Sequence, residues 1–144
     1  MANKKITKDL NIGTLYIDSS SFDMVNFVFV PLNEGSKVIS KTYALAKRNA
    51  ETAKFLKKFL QLAVSGNTEQ IAAFAIQTGE GSFAGMRTGI ALALGMSFAF
   101  DIPVYAIDAK GKTKLITEAL EIDYGAAPNI GVAKKKKLKQ IKTA

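Results

Sequence analysis

Short apolar and alternating runs separated by polar turns follow one another in the first third of the chain, the mark of strands. Ile12 to Asp18 predicts a first strand, short and apolar, that ends in Asp18-Ser19-Ser20-Ser21. Met24 to Pro31 predicts a second, Asn33-Glu34-Gly35 supplies a hairpin turn, and Ser36 to Tyr43 returns as a third. The period then lengthens to that of a helix. From Lys47 to Ser65, Ala53, Leu56, Leu60 and Ala63 share one side, Phe55, Phe59 and Leu62 extend it, and Lys47, Lys54, Lys57 and Lys58 lie opposite. The apolar arc takes about half the circumference, where roughly 100° suffices to cover a sheet. Surplus apolar surface of this kind marks an interface. The competing reading has Phe55 and Phe59 wrapping the edge of the sheet.

Two later blocks show no alternation at all. Ile71-Ala72-Ala73-Phe74-Ala75-Ile76 is a continuous apolar run and predicts a fully buried strand. After Gly79-Glu80-Gly81-Ser82, a helix is predicted from Phe83 to Phe100, in which Arg87 is the one strongly polar side chain and Thr88 and Ser97 are minor exceptions. Ser82 is placed to cap its first turn, Gly79 and Gly81 supply unusual backbone angles, and Pro103 stops it by disfavouring helical angles at Ile102. A helix apolar on every face is expected to be buried all round. A membrane span competes, but the uninterrupted run Ile90 to Phe100 falls short of the roughly 20 residues a bilayer needs. No membrane association is expected.

At about 100° per residue, Gly85, Gly89 and Ala93 form one smooth side of this helix. Ala84, Thr88, Ala91, Gly95 and Ala99 form another, and Phe83, Ile90, Leu94 and Phe98 make a bulky ridge between them. Glycine inside a helix costs about 1 kcal/mol relative to alanine, so close approach must offset it. Two smooth sides imply two close contacts, one with the chain's own sheet and one with a partner. The residues assigned to the partner are Gly85, Gly89, Ala93 and Met96, together with Ala53, Phe55, Leu56, Phe59, Leu60 and Ala63 of the preceding helix. Val104 to Asp108 predicts a fifth strand and Leu115 to Tyr124 a terminal one.

Composition narrows the chemistry. The chain has 144 residues, no cysteine and no histidine, which excludes disulfides, thiolate or histidine-base mechanisms and zinc sites built from those residues. Met1 to Asn11 is polar, so no secretory signal is read there and a cytoplasmic protein is expected. The formal net charge is +8. From Ala133 onward stand six lysines and no acid, leaving 14 basic against 12 acidic residues, or +2, for the rest. The basicity belongs to the tail. The chain is therefore divided into a polar extension (1–11), a single lobe (12–125) and a lysine-rich tail (126–144).

Three antiparallel strands, helix, strand, helix, strand is the α/β order of the ribonuclease H-like core shared by actin-like ATPases and many nucleases, here a five-stranded mixed sheet with a terminal extra strand. Within it, Gly79-Glu80-Gly81-Ser82-Phe83-Ala84-Gly85-Met86-Arg87 closely resembles the Gly-Pro-Gly-Ser-Phe-Thr-Gly-Leu-Arg signature of the TsaB (YeaZ) family, the scaffold subunit of bacterial tRNA threonylcarbamoyladenosine synthesis. Gly89, Ala91 and Gly95, with the exit through Asp101-Ile102-Pro103-Val104, resemble that family's helix, and Asp18-Ser19-Ser20 resembles its Asp-Thr-Ser. Glu80 stands for the motif's proline, Ala84 for its threonine, and Asn49 for the histidine that opens the family's first helix. The family has a second, C-terminal subdomain, whereas 36 residues follow Asp108 here. The chain is expected to be a minimal member.

The resemblance implies a protein without catalysis or cofactor of its own. It implies a helical-bundle heterodimer with a TsaD-like catalytic subunit, joined by a TsaE-like ATPase, in modifying adenosine 37 of tRNAs. Without that partner a homodimer is expected through the same surface. The residues allow other readings. Gly79 to Ser82 could cradle a phosphate, but Glu80 is negative and no P-loop lysine follows, so a tight structural turn is preferred. Asp18, with Glu51, could serve a two-metal nuclease, yet the fourth strand ends in Gln77-Thr78 without an acid. No metal site is expected, and Asp18 is assigned to organising its turn. Lys134, Lys135, Lys136, Lys137, Lys139 and Lys142 read as a solvated end. Contact with tRNA phosphates is the alternative, and with it a nucleic-acid-binding ribonuclease H-like module. Arg87 is left between anchoring the loop and pairing across an interface.

Overall fold

The computed structural model describes residues 12–46 and 48–117. Six strands form one mixed sheet: β1 (Gly13–Asp18), β2 (Met24–Pro31), β3 (Ile39–Ala44), β4 (Ile71–Gln77), β5 (Val104–Ile107) and β6 (Thr113–Ile116). Their spatial order is β3-β2-β1-β4-β5-β6. β1, β2 and β3 pair antiparallel, β1, β4 and β5 pair parallel, and β6 returns antiparallel to β5. Two α-helices, α1 (Thr52–Val64) and α2 (Phe83–Phe100), connect β3 to β4 and β4 to β5. This is the predicted order of elements. The polar extension 1–11, the tail 126–144 and the part of Leu115–Tyr124 beyond residue 117 lie outside the described residues.

Three boundaries differ from the sequence reading. β3 begins at Ile39, the first residue to find a partner, Phe29, beyond the hairpin turn. That turn carries the expected bond from the Ser36 amide to the Asn33 carbonyl (3.3 Å). The first helix opens as a single 3-10 turn, Arg48–Glu51, before α1 proper, a common way for a helix to start. It ends as Ser65 takes a left-handed φ of 53° and the Gly66 amide reaches back to the Leu60 carbonyl at 3.0 Å, a closure that satisfies an orphan carbonyl. The last strand among the described residues begins at Thr113, ahead of Leu115, because Asp108 Oδ1 accepts the amides of Lys110 and Lys112, each at 2.9 Å, and turns β5 directly into β6.

The alternation in the strands sorts the sheet into two faces. Leu15 and Ile17 of β1, Val25, Phe27 and Phe29 of β2, Phe74 and Ile76 of β4 and Val104 of β5 point to one face and are buried there. Both helices cover that face. Phe59 of α1 stacks on Phe27 with ring centroids 5.4 Å apart, and Phe55 stacks on Tyr43 of β3 at 4.6 Å. Met86, Ile90 and Ala93 of α2 complete the core. Full burial of each large side chain contributes about 1.5–3 kcal/mol, and the two phenylalanine contacts set α1 over β2 and β3.

Candidate functional site

The parallel strands β1 and β4 run side by side but lead away in opposite directions, and the crevice at such a switch point is where open α/β sheets bind ligands. Here the loops that follow the strands are clamped together, while Asp18 and Gln77, the last residues of β1 and β4, line a hollow on the face away from the helices. Gly81, at φ 128°, leaves no room for a Cβ against the Ser20 carbonyl, and the Ser82 amide donates to that same carbonyl. Gly79, at φ 107°, lies against the backbone of Ala109 in the β5–β6 turn. The Ser82 hydroxyl accepts the Gly85 amide at 3.1 Å, as a capping serine should. On the other side of the crevice, Asp18 accepts the Ser20 amide (3.1 Å) and the Ser20 hydroxyl. The glycine motif thus clamps the loops that follow β1, β4 and β5. Of the amides that would hold a phosphate, those of Ser82 and Gly85 are bonded within the chain instead. Among the described residues no group of three or more His, Cys, Asp or Glu is placed to hold a metal ion.

The clamp also decides which side of α2 faces inward. A Cβ on Gly85 would overlap the Ser19 carbonyl oxygen, and one on Gly89 would overlap the Ser19 hydroxyl. Ser19 is 2% exposed, and its hydroxyl has no hydrogen-bond partner. The side Gly85-Gly89-Ala93, assigned from sequence to a partner, is therefore the inner side, docked on the loop after β1 and on Ile17. The other smooth side faces out. Ala84, Ala91, Gly95 and Ala99 are exposed, Thr88 is half-buried, and nothing lies within 4 Å of the place a Cβ on Gly95 would take. The ridge divides between the two environments: Ile90 is fully buried and Phe98 is 95% exposed. Arg87, also exposed, lays its guanidinium over the Phe83 ring, 5.4 Å from the centroid.

Two expectations are thereby corrected. α2 is not buried all round: only 28% of this 18-residue stretch, of mean hydropathy 1.4, is buried within the chain. By length and composition it could also cross a bilayer, but its inner side is part of the core beneath it. On α1 the reading that fits is the one in which the phenylalanines wrap the sheet. Leu56 and Phe59 are buried, Phe55, Leu60 and Ala63 are half-buried against the core, and only Ala53 of the six assigned residues is exposed. Leu56, Phe59, Gly85, Gly89 and Ala93 cannot meet a partner without unmaking the core, and Met96 is half-buried against it. The outward residues that sequence reasoning passed over are Ala84, Ala91, Gly95 and Phe98. The signal for Ala84, Ala91 and Gly95 was present in the second smooth side and that for Phe98 in the ridge, but the Ser19 contact that orients the helix is not a periodic feature.

No family model matches the chain, and no curated protein does. Among solved structures it is similar to YeaZ from Pseudomonas aeruginosa, with a TM-score of 0.56 and 22% identity over 67% of this chain and 44% of that one. A second structure, described as an uncharacterized protein with similarity to peptidase YEAZ from Pseudomonas aeruginosa, gives a TM-score of 0.56 and 23% identity over 67% and 43%. The chain has a YeaZ-like fold. It spans less than half the length of the YeaZ structures it matches. RuvC from T. thermophilus, in complex with Holliday junction substrate, is similar over 69% of this chain and 66% of that one, with a TM-score of 0.50 and 13% identity. The YeaZ-like fold is accordingly a variant of the ribonuclease H-like one, and at these identities the likeness is one of fold.

Proposed function

We propose that this chain is a non-catalytic scaffold of the TsaB (YeaZ) kind, which docks the outward side of α2 on a TsaD-like catalytic subunit in the threonylcarbamoylation of tRNA. The observation that carries this reading is the outward side itself. Ala84, Ala91, Gly95 and Phe98 form an apolar strip with small residues along its middle and an almost fully exposed phenylalanine at its end. Small residues let a partner helix approach closely, adding dispersion contacts and burying apolar area. Exposed apolar patches of this kind mark protein interfaces. A TsaE-like ATPase and tRNA contacts through Lys134–Lys137, Lys139 and Lys142 belong to the same proposal, as does pairing with a second copy when the partner is absent.

The test is co-expression with the TsaD-like protein of the same organism, followed by light scattering of the purified complex. A stoichiometric heterodimer is expected, and Ala91→Glu or Phe98→Asp should abolish it while leaving the thermal midpoint of the isolated chain in place. Failure of the wild-type chain to bind, or binding that survives both changes, would overturn the reading.

A further inference from the structure

The face of the sheet opposite the helices carries an apolar strip across its middle, beside polar residues such as Asn26, Ser40 and Thr42. Following the pairing across all six strands, Ser40, Val28, Tyr16, Ala75, Tyr105 and Leu115 form one lateral row on that face. Val30, Thr14 and Ala73 form the row beside it. Tyr16 is 38% exposed and Leu115 is 53% exposed. Beside Tyr16 a hollow of about 260 Å³ opens, with Tyr16, Val28, Ala75 and Ile107 in its lining and Asp18, Asn26 and Gln77 at its polar end. Three adjacent strands here, β1, β4 and β5, are parallel, and parallel sheets are stable with both faces covered. Among the described residues no α-helix lies on this face.

The sequence supplies a matching segment. β6 ends at Ile116, opposite Val104 at the edge of the sheet, and 27 residues follow Thr117. They do not read as one basic tail. From Ala119 to Ala133 the only charged residues are Glu121 and Asp123, and the lysines begin at Lys134. Leu120, Ile122 and Tyr124 alternate with those two acids, so an extended chain would present three large apolar groups on one side and carboxylates on the other. The distance also fits. β1 lies three strands from β6, or roughly 15 Å at strand spacing, and extended chain advances about 3.3 Å per residue. The stretch from Thr117 to Ile122 is long enough to cross it.

We propose that residues 118–133 of this chain fold back over the open face of the sheet, with Leu120, Ile122 and Tyr124 seated across the Tyr16–Val28–Ala75 row and its hollow. The acids then face solvent, and the lysine run starts where the cover ends. This goes beyond the partner reading and uses the opposite face, so loss of partner binding leaves it untouched.

Because the chain has no cysteine, introduced pairs report cleanly. The full-length double variant Val28→Cys, Ile122→Cys is treated with a short bis-maleimide beside Ala91→Cys, Ile122→Cys, which links the segment to the outward side of α2 instead. Intramolecular cross-linking in most molecules of the first pair, about tenfold faster than in the second, is expected. Equal rates, a faster second pair, or a main product linking two chains would overturn the proposal, the last by giving the face to a second copy. Chymotryptic cleavage at Leu120 and Tyr124 gives an independent readout. The single change Val28→Asp should accelerate it about tenfold, since cleavage follows the open population, and unchanged cleavage would overturn the proposal as well.

Discussion

α1 and α2 lie side by side on one sheet face and solve the same packing problem with opposite compositions. α1 is amphipathic: Leu56 and Phe59 go into the core, and Lys54, Lys57 and Lys58 go to water. Lys54 and Lys58 even lay their ammonium groups over the Phe55 ring, at 5.5 and 5.7 Å from its centroid, so their stems shield what the core does not. α2 has no such division. It gives Gly85, Met86, Gly89, Ile90 and Ala93 to the core and leaves Ala91, Gly95 and Phe98 outside with almost nothing polar among them. α1 is therefore nearly complete in the monomer, with Leu62 left 56% exposed, and α2 is complete only on one side. A wide apolar arc on an otherwise charged helix is spent on its own sheet, whereas apolar residues continuing around the far side of a docked helix have no intramolecular use.

That contrast can be broken by substitution. Phe59→Ala removes the ring stacked on Phe27 and should cost about 3–5 kcal/mol, measured by urea unfolding; a loss below about 1 kcal/mol would mean that α1 is not fixed by this contact. Gly89→Leu forces a side chain into the Ser19 hydroxyl and should cost about 1–3 kcal/mol or more, seen as a large fall in thermal midpoint. Ser82→Ala removes the α2 cap and should cost about 1 kcal/mol, with amide exchange rising first at the start of the helix. Gly95→Leu, on the outward side, sharpens the comparison most. Its Cβ meets nothing within 4 Å among the described residues, and the change gains up to about 1 kcal/mol of helix propensity. The isolated chain should be unchanged or slightly more stable, and association with the proposed TsaD-like partner should fail.

The elements were legible because each carries its own local signal. Ser82, Gly79, Gly81 and Pro103 bound α2 by capping and backbone chemistry, and the Phe83–Phe100 range follows from them. The β1–β3 meander follows from alternation and the Asn33-Glu34-Gly35 turn. The orientation of α2 was not legible. Both of its smooth sides satisfy the same helical period, and the choice between them rests on Ser19, a residue distant in sequence whose carbonyl and hydroxyl fit only against glycine. The excess apolar arc of α1 misled for a related reason. Periodicity shows that Phe55 must be covered, but the cover is Tyr43 on the edge strand, a cross-element stack that no single segment encodes. β6 was misplaced because Asp108 builds its turn from side-chain hydrogen bonds within five residues.

The pairing of β1 with β4 has a consequence for how the chain is made. Leu15 and Phe74 are neighbours in the sheet but roughly sixty positions apart, a closure whose entropic cost grows only slowly with length but which slows folding relative to local contacts. During synthesis the N-terminal segments emerge first. The meander of β1, β2 and β3 can pair through short turns before β4 exists, so the growing chain already holds a template when Ile71–Gln77 appears. α2 emerges after that strand. The most apolar segment of the described chain thus leaves the ribosome last among the core-forming helices, when the surface that receives its glycine side is already assembled, which shortens the time it spends with both sides exposed to other nascent chains.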